Sequence, residues 1–474
     1  NQFYQDVYEW AEEVTSNNDA PRNIWSANYN NIANANQALA AIEDLGGPTT
    51  TKLKASKGEA LLCRAYSHFV LANMFCMPYN PATAGNYMGI PYMDHAETDL
   101  NPKYERGTLR EVYEKIGRDI EEGIPLIDDT SYSVTKYHFN YKAACCFASR
   151  YYLFIQDWDN AIKYATMVLT SNPESLLRDY DAIAALPNSS SRHQAYVSSA
   201  STANFLLQAA TSNSGLLFDW YSTAGRYSHG KLQGTYETVQ PKKGGPWGNG
   251  VSFKAAHAVL ATSGKYVLPR TWRVFQYTDP VAGTGFNKAV SVLFCTEEAL
   301  LNRAEAYIMK MSEDQAAVDN ALADMNLYAS NLMSGGFTPM TEASIKKWAT
   351  ETYPDYSELY VGKTSTSSPQ TLNPKKKLHA APYNALEEGG AQENMLQALI
   401  FMRRYQFLHE GMRWFDTRRF GITVYRYLLD EDDETVVQIT DQISDENGTP
   451  DLRRALQLPA DVIAAGLTPN PRNK

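Results

Sequence analysis

The chain has no excess of positive charge. Its 43 Lys and Arg stand against 53 Asp and Glu, a formal net charge of −10, so no overall basic field draws it to nucleic acid or anionic headgroups. Cysteine is scarce. The five present, Cys63, Cys76, Cys145, Cys146 and Cys295, are odd in number and show no CxxC spacing. All lie in or at the edge of apolar helical segments, which excludes a disulfide framework and reads as packed free thiols. No window reaches the roughly 20 apolar residues that cross a bilayer. The first residues, Asn1-Gln2-Phe3-Tyr4, do not form the basic and then apolar run of a signal sequence, and a cleaved signal or lipid anchor would leave no trace in the remaining chain. Enzyme signatures are missing too. His409-Glu410 runs into Gly411-Met412-Arg413 instead of completing HExxH, there is neither a GxSxG elbow nor a Walker A loop, and Gly283-Thr284-Gly285 is too short for a dinucleotide fingerprint and reads as a turn. No cofactor is implied.

What is abundant is tyrosine. The 31 Tyr exceed the 28 Gly, in a chain of 474 residues that is 44% hydrophobic and long enough to bury a large core. A tyrosine ring offers a flat apolar face and a polar tip, so the excess points to wet interfaces or sugar-stacking surfaces.

Helical periodicity dominates. Trp25, Tyr29, Ile32, Leu39 and Ile42 mark a helix from Ile24 to Leu45 that Gly46-Gly47-Pro48 stops, and a second runs from about Lys54 to Phe75. Residues 77–107 are rich in Pro, Gly, Asn and Tyr, which makes a long functional loop. Thr108 and Glu111 have the spacing of a capping box opening the next helix. Tyr141 to Phe154 and Trp158 to Thr170 follow, with Ala161, Ala165 and Pro173 near the offsets of a tetratricopeptide repeat. Residues 187–290 lose the helical stripes. Helices return at Glu297 to Met311 and Gln315 to Leu332, residues 334–390 are again loop-rich, and the pattern predicts one unbroken helix from Glu393 to Thr417 in which Glu410 meets Arg413 or Trp414. Val424 to Leu429 and Thr435 to Ile439 flank an acidic turn and make a hairpin.

Carboxylates such as Asp94, Asp99, Glu297 and Glu298 have no spacing that singles out a glycosidase pair, whose reacting groups must lie about 5–10 Å apart. The acidic run from Asp430 to Glu434 lacks the spaced ligands and glycine of a calcium loop and reads as a solvated turn, so no metal is expected. Loop aromatics are the better candidates. Tyr79, Tyr87 and Tyr92 lie in the long first loop beside Asn86, and Trp220, Tyr221, Trp247 and Trp272 lie in the irregular region. These eight are the candidate ligand contacts, although packing in a local core explains any one of them as readily.

Two segments carry a family resemblance. Glu59-Ala60-Leu61-Leu62-Cys63-Arg64-Ala65-Tyr66-Ser67-His68-Phe69, followed by Gly89-Ile90-Pro91, resembles the first repeat of SusD/RagB proteins. The stretch from Arg403-Arg404-Tyr405 through His409-Glu410-Gly411 to Arg418-Arg419-Phe420-Gly421 is very similar to that family's signature helix, and Gln457-Leu458-Pro459 with Asn470-Pro471 resembles its tail. His409 within the signature and the lack of a Glu before Arg403 depart from the commonest pattern. The signature itself reads as a buttress, because paired charges beside an apolar stripe are the makeup of a half-buried helix.

The resemblance implies a mainly α fold, a tetratricopeptide-like scaffold of four helix pairs with an irregular loop-rich lobe, in a single discontinuous domain over residues 1–474. The repeat-like pairs fall in 24–173 and 296–332, and the lobe in 187–295 and 334–474 with signature helix 393–417. It further implies a non-catalytic cell-surface protein that binds an oligosaccharide or polysaccharide and serves a SusC-like, TonB-dependent outer-membrane barrel, tethered by a lipidated Cys upstream of Asn1. A peptide-binding protein of the RagB type is the alternative, because fold does not fix ligand; a repeat adaptor or a hydrolase is a more distant one.

Overall fold

Residues 2–12, 14–99, 102–218, 227, 229–239, 244–248, 251–254, 258–260, 265–268, 270–334, 336–352, 375–433, 435–445 and 448–472 are described by a computed structural model. They form two compact units. One comprises Asn1–Val168, Leu293–Cys295 and Pro450–Lys474, the other Leu169–Val292 and Thr296–Thr449.

The first unit is helical for reasons visible in its capping residues. Pro21 begins the helix Pro21–Asp44, where a missing N–H costs nothing. Thr50 caps Thr51–Phe75 by accepting from the Leu53 N–H, and Asn140 caps Tyr141–Phe154 through Ala143. The capping box forms as spaced: Thr108 Oγ1 accepts from the Glu111 N–H while Glu111 Oε2 accepts from the Thr108 N–H at 2.7 Å, opening Leu109–Gly123. Thr51–Phe75 and Leu109–Gly123 pack closely because neither contact position carries a side chain. A Cβ on Gly58 would lie 2.8 Å from the Gly123 carbonyl oxygen. The core beneath them is aromatic, with Phe147 in edge or tilted contact with Tyr66, Phe69, Phe139 and Phe294 at centroid distances of 5.5–6.1 Å. Cysteines fill the same interior: none of the five forms a disulfide, and only Cys63 is more than marginally exposed.

The second unit contains more strand than the periodicity shows. Asn204–Thr211, Thr284–Cys295 and Val274–Asp279 form a three-stranded sheet in that order, with Val274–Asp279 antiparallel to its neighbour. Helices Thr296–Met309 and Gln315–Leu332 follow. Within the expected loop 334–390 lies a further helix, Glu342–Thr352, which buries Ile345, Trp348 and Ala349 at helical spacing. Val424–Leu429 pairs with Val436–Ile443 across the acidic turn, where Asp432 accepts from the Thr435 N–H at 2.7 Å.

The unbroken helix expected over 393–417 is two helices, Ala391–Gln406 and Met412–Arg419. Left-handed backbone at His409 (φ 69°) and Gly411 (φ 83°) separates them. Arg270 caps the first by donating to the carbonyls of Tyr405, at 2.8 Å, and Gln406. The break also redirects Glu410, which accepts from the Tyr196 hydroxyl at 2.9 Å instead of meeting Arg413 or Trp414. The signature charges are structural: Arg403 pairs with Asp416 at 3.0 Å, and Arg419 bridges Asp416 and Glu305, all buried. Burial alone would neutralise these carboxyls, but flanking guanidinium groups hold Asp416 below the usual range.

Candidate functional site

In the first unit the loop following Phe75 is held by helix side chains that satisfy its backbone. Tyr29 donates to the Pro91 carbonyl at 2.8 Å, and the Asn36 amide donates to the carbonyls of Met93 and His95 at 3.0 and 2.9 Å. Arg64 reaches the Asp94 carbonyl and the Asn36 amide oxygen, and forms a buried two-point pair with Asp119 at 2.6 and 2.7 Å. His68 is fully buried. Its Nδ1 faces the Arg64 carbonyl and so carries the proton, while Nε2 accepts from the Met93 N–H at 3.1 Å. Burial pulls its pKa down to about 3, so the ring is neutral and can serve both bonds at once. At the loop's base Arg106 donates to the carbonyls of Gly89 and Thr468 and to the Asn470 side chain. A loop of 31 residues (77–107) thereby gains fixed geometry, the condition for holding a ligand on a scaffold.

The candidate contacts fall into different environments on this loop. Asn86 is exposed and Tyr87 half-exposed, and both are set on the short bridge where the Tyr87 carbonyl accepts from Leu109 and Met88 faces Thr108. Arg110 lies against the neighbouring Gly85, bonded to the Pro81 carbonyl at 2.7 Å. Tyr79 is half-buried, its ring 4.4 Å from that of Tyr113. Tyr92 has one face covered: its ring stacks on His68 at 3.8 Å and its hydroxyl donates to Asp119 at 2.6 Å, so it braces the loop. A cleft of about 410 Å³ beside the loop is lined by Tyr92, Glu105, Arg106, Thr108, Glu111 and Lys115 among others.

In the second unit Trp247 is 6% exposed and packs edge-on against Phe253 and Phe401, which makes it a core residue of that unit rather than a surface ring. Trp272 is half-exposed, its backbone pressed on Gly215. Trp220 and Tyr221 lie outside the described residues. Glu297 pairs with Arg178 at 3.0 Å and is fully buried beside the equally buried Glu298, while Asp94 is exposed beside Lys115 and His95. Among the described residues no group of His, Cys, Asp and Glu is placed to hold a metal ion, and no helix is long and apolar enough to cross a membrane. Sequence reasoning missed Asn36, Arg64, His68 and Asp119. The signal available was polarity on the apolar stripe of a helix, as with Asn36 four residues after Ile32 and Asp119 three after Ile116.

Residues 1–153 match the family model SusD-like_3, described as starch-binding associating with outer membrane. The fold agrees along nearly all of the chain: a Bacteroides vulgatus structure named for inferred sugar binding aligns over 99% of this chain and 89% of its own, with a TM-score of 0.61 at 18% identity. The chain has a SusD-like fold. A SusD superfamily protein from Bacteroides thetaiotaomicron is similar over 94% of this chain and 85% of its own (TM-score 0.56, 18% identity). A laminarin-binding SusD-like protein is similar over 95% and 86% (TM-score 0.54, 16% identity). No curated protein matches the sequence. The SusD-like match spans the two long helices, the pinned loop and the capping-box helix, so the loop described above belongs to the part of the chain that carries the family pattern.

Proposed function

We propose that this SusD-like protein is a non-catalytic glycan-binding protein, lipid-anchored at the cell surface, that hands oligosaccharides or polysaccharides to a TonB-dependent, SusC-like outer-membrane barrel. The observation that carries the reading is the pinned first loop, which leaves Asn86 exposed and Tyr87 half-exposed, with Arg110 against the adjoining Gly85, while Tyr29, Asn36, Arg64 and His68 occupy its backbone. A pyranose has an apolar face of axial hydrogens and a rim of hydroxyls, which suits a phenol ring flanked by an amide and a guanidinium. The starch-binding description of the matched family and the laminarin-binding neighbour support a carbohydrate as the ligand.

The test is isothermal titration with the glycan that a glycan array selects. Tyr87→Ala is expected to lose about 1–3 kcal/mol of binding, as an interface aromatic does, with its melting temperature unchanged. Parent-like binding by Tyr87→Ala would move the site away from this loop. An array in which peptides bind and glycans do not would replace the carbohydrate with a peptide.

A further inference from the structure

The strand pair Val274–Asp279 and Thr284–Cys295 carries aromatic side chains that are exposed, among them Phe275, Tyr277 and Phe286. Its turn is self-supporting: Asp279 Oδ1 accepts from the N–H groups of Val281 and Ala282 at 2.9 and 3.0 Å, and Thr278 donates to the Thr284 carbonyl. The register places Phe275 opposite Asn287, and Tyr277 opposite Gly285. Opposed residues share a face, so Phe275, Tyr277 and Asn287 stand together, while Val274, Gln276, Phe286 and Lys288 occupy the reverse side. Tyr277 is 59% exposed and Phe275 37%. Their rings meet edge to face at 4.9 Å. Gly285 makes room for this arrangement, because a Cβ there would lie 2.9 Å from the Phe275 ring.

Apolar residues scattered singly are ordinary on a surface, whereas two exposed rings in contact form a flat platform, and three features say what this one takes. Charge is nearly absent: from 274 to 288 only Asp279 and Lys288 carry charge at neutral pH, the first turned to the hairpin's own N–H groups and the second bonded to Thr211 at 2.7 Å. The polar residue opposite Phe275 on this face is an amide, Asn287. The free ring area is on the order of 200 Å², well below the roughly 800 Å² per partner of a stable protein interface and about the footprint of one or two sugar rings. We infer that the Phe275–Tyr277 face is a carbohydrate-binding surface in its own right, taking one or two pyranose rings of a neutral glycan. It rests on the glycan-binding reading and adds a second point of contact to it.

Affinity electrophoresis through gels containing soluble starch, laminarin, galactomannan or arabinoxylan tests this with the parent protein, Tyr277→Ala, Phe286→Ala and Tyr87→Ala. At least one polysaccharide is expected to retard the parent. Tyr277→Ala is then expected to weaken that affinity about fivefold or more, Phe286→Ala on the reverse face to leave it nearly unchanged, and both to melt like the parent. Undiminished retardation of Tyr277→Ala alongside a loss in Tyr87→Ala overturns the hairpin surface and leaves the glycan reading standing. Failure of every polysaccharide to retard the parent overturns both. A parent dimer in sedimentation that Tyr277→Ala dissolves overturns the inference in favour of self-association.

Discussion

Two aromatic residues with equal claims in the sequence, Tyr87 and Trp247, have opposite places in the molecule. Tyr87 stands on the rim of a loop whose backbone is held elsewhere, whereas the Trp247 indole fills the space between Phe253 and Phe401. Truncating Trp247 removes buried area and leaves a cavity, so Trp247→Ala is expected to cost about 3–5 kcal/mol of stability. Urea unfolding measures this, and a midpoint equal to the parent's would show that the indole is not core. Sequence alone ranks these residues together because an aromatic in a Gly- and Pro-rich stretch reports only that the stretch is not a regular helix. Which side of the ring is wet depends on partners distant in the chain. His68 shows the same limit, since its neutral bridging role needs the Met93 N–H, 25 residues away.

Elements with local causes were legible. The Thr108–Glu111 capping box, the helices Tyr141–Phe154 and Gln315–Leu332, and the strand Val424–Leu429 all lie where spacing, caps and turn residues put them. The break within 393–417 was not, because its apolar steps continue through it while the stop depends on Arg270 reaching two carbonyls from more than 130 residues away. That break sets Glu410 at a helix junction, and burial pushes its carboxyl up to about 7 despite the nearby Arg270 and the Tyr196 hydroxyl. The folded protein therefore keeps a proton there that the unfolded chain releases near the ordinary value of 4.5. Stability from this group is present below about 4.5 and is lost as pH rises to about 7. Glu410→Gln, which stays neutral throughout, is expected to raise the melting temperature at pH 8 and to change it little at pH 4.5. A variant that gains nothing at pH 8 would show that the carboxylate ionises there without penalty.

At the scale of the whole molecule, the core is built without covalent staples. None of the five thiols forms a disulfide, and burial pushes those of Cys63 and Cys145 up to about 12, where they are neither nucleophilic nor ready to oxidise. Melting temperatures with and without a phosphine reductant are expected to agree, and a fall of many degrees would reveal a disulfide. The resemblance in the two helical signatures anticipated a SusD-like fold that aligns along nearly the whole chain. It did so because those signatures are packing instructions, such as the Arg403–Asp416 and Arg419–Glu305 pairs, and packing is what relatives share. Ligand contacts carry no such instruction.

The clasp at the base of the first loop joins residues far apart in the sequence. Asn470 receives the Arg106 guanidinium on its side-chain oxygen and gives its amide hydrogens to the carbonyls of Phe75 and Leu456. During synthesis the loop emerges more than 360 residues before the residue that locks it. A nascent chain can build the early helices, yet the loop stays unclasped until Asn470 has been made. Order at the base of this loop is thus a late event in synthesis, and a stop codon placed before Asn470 is expected to leave the loop unclasped.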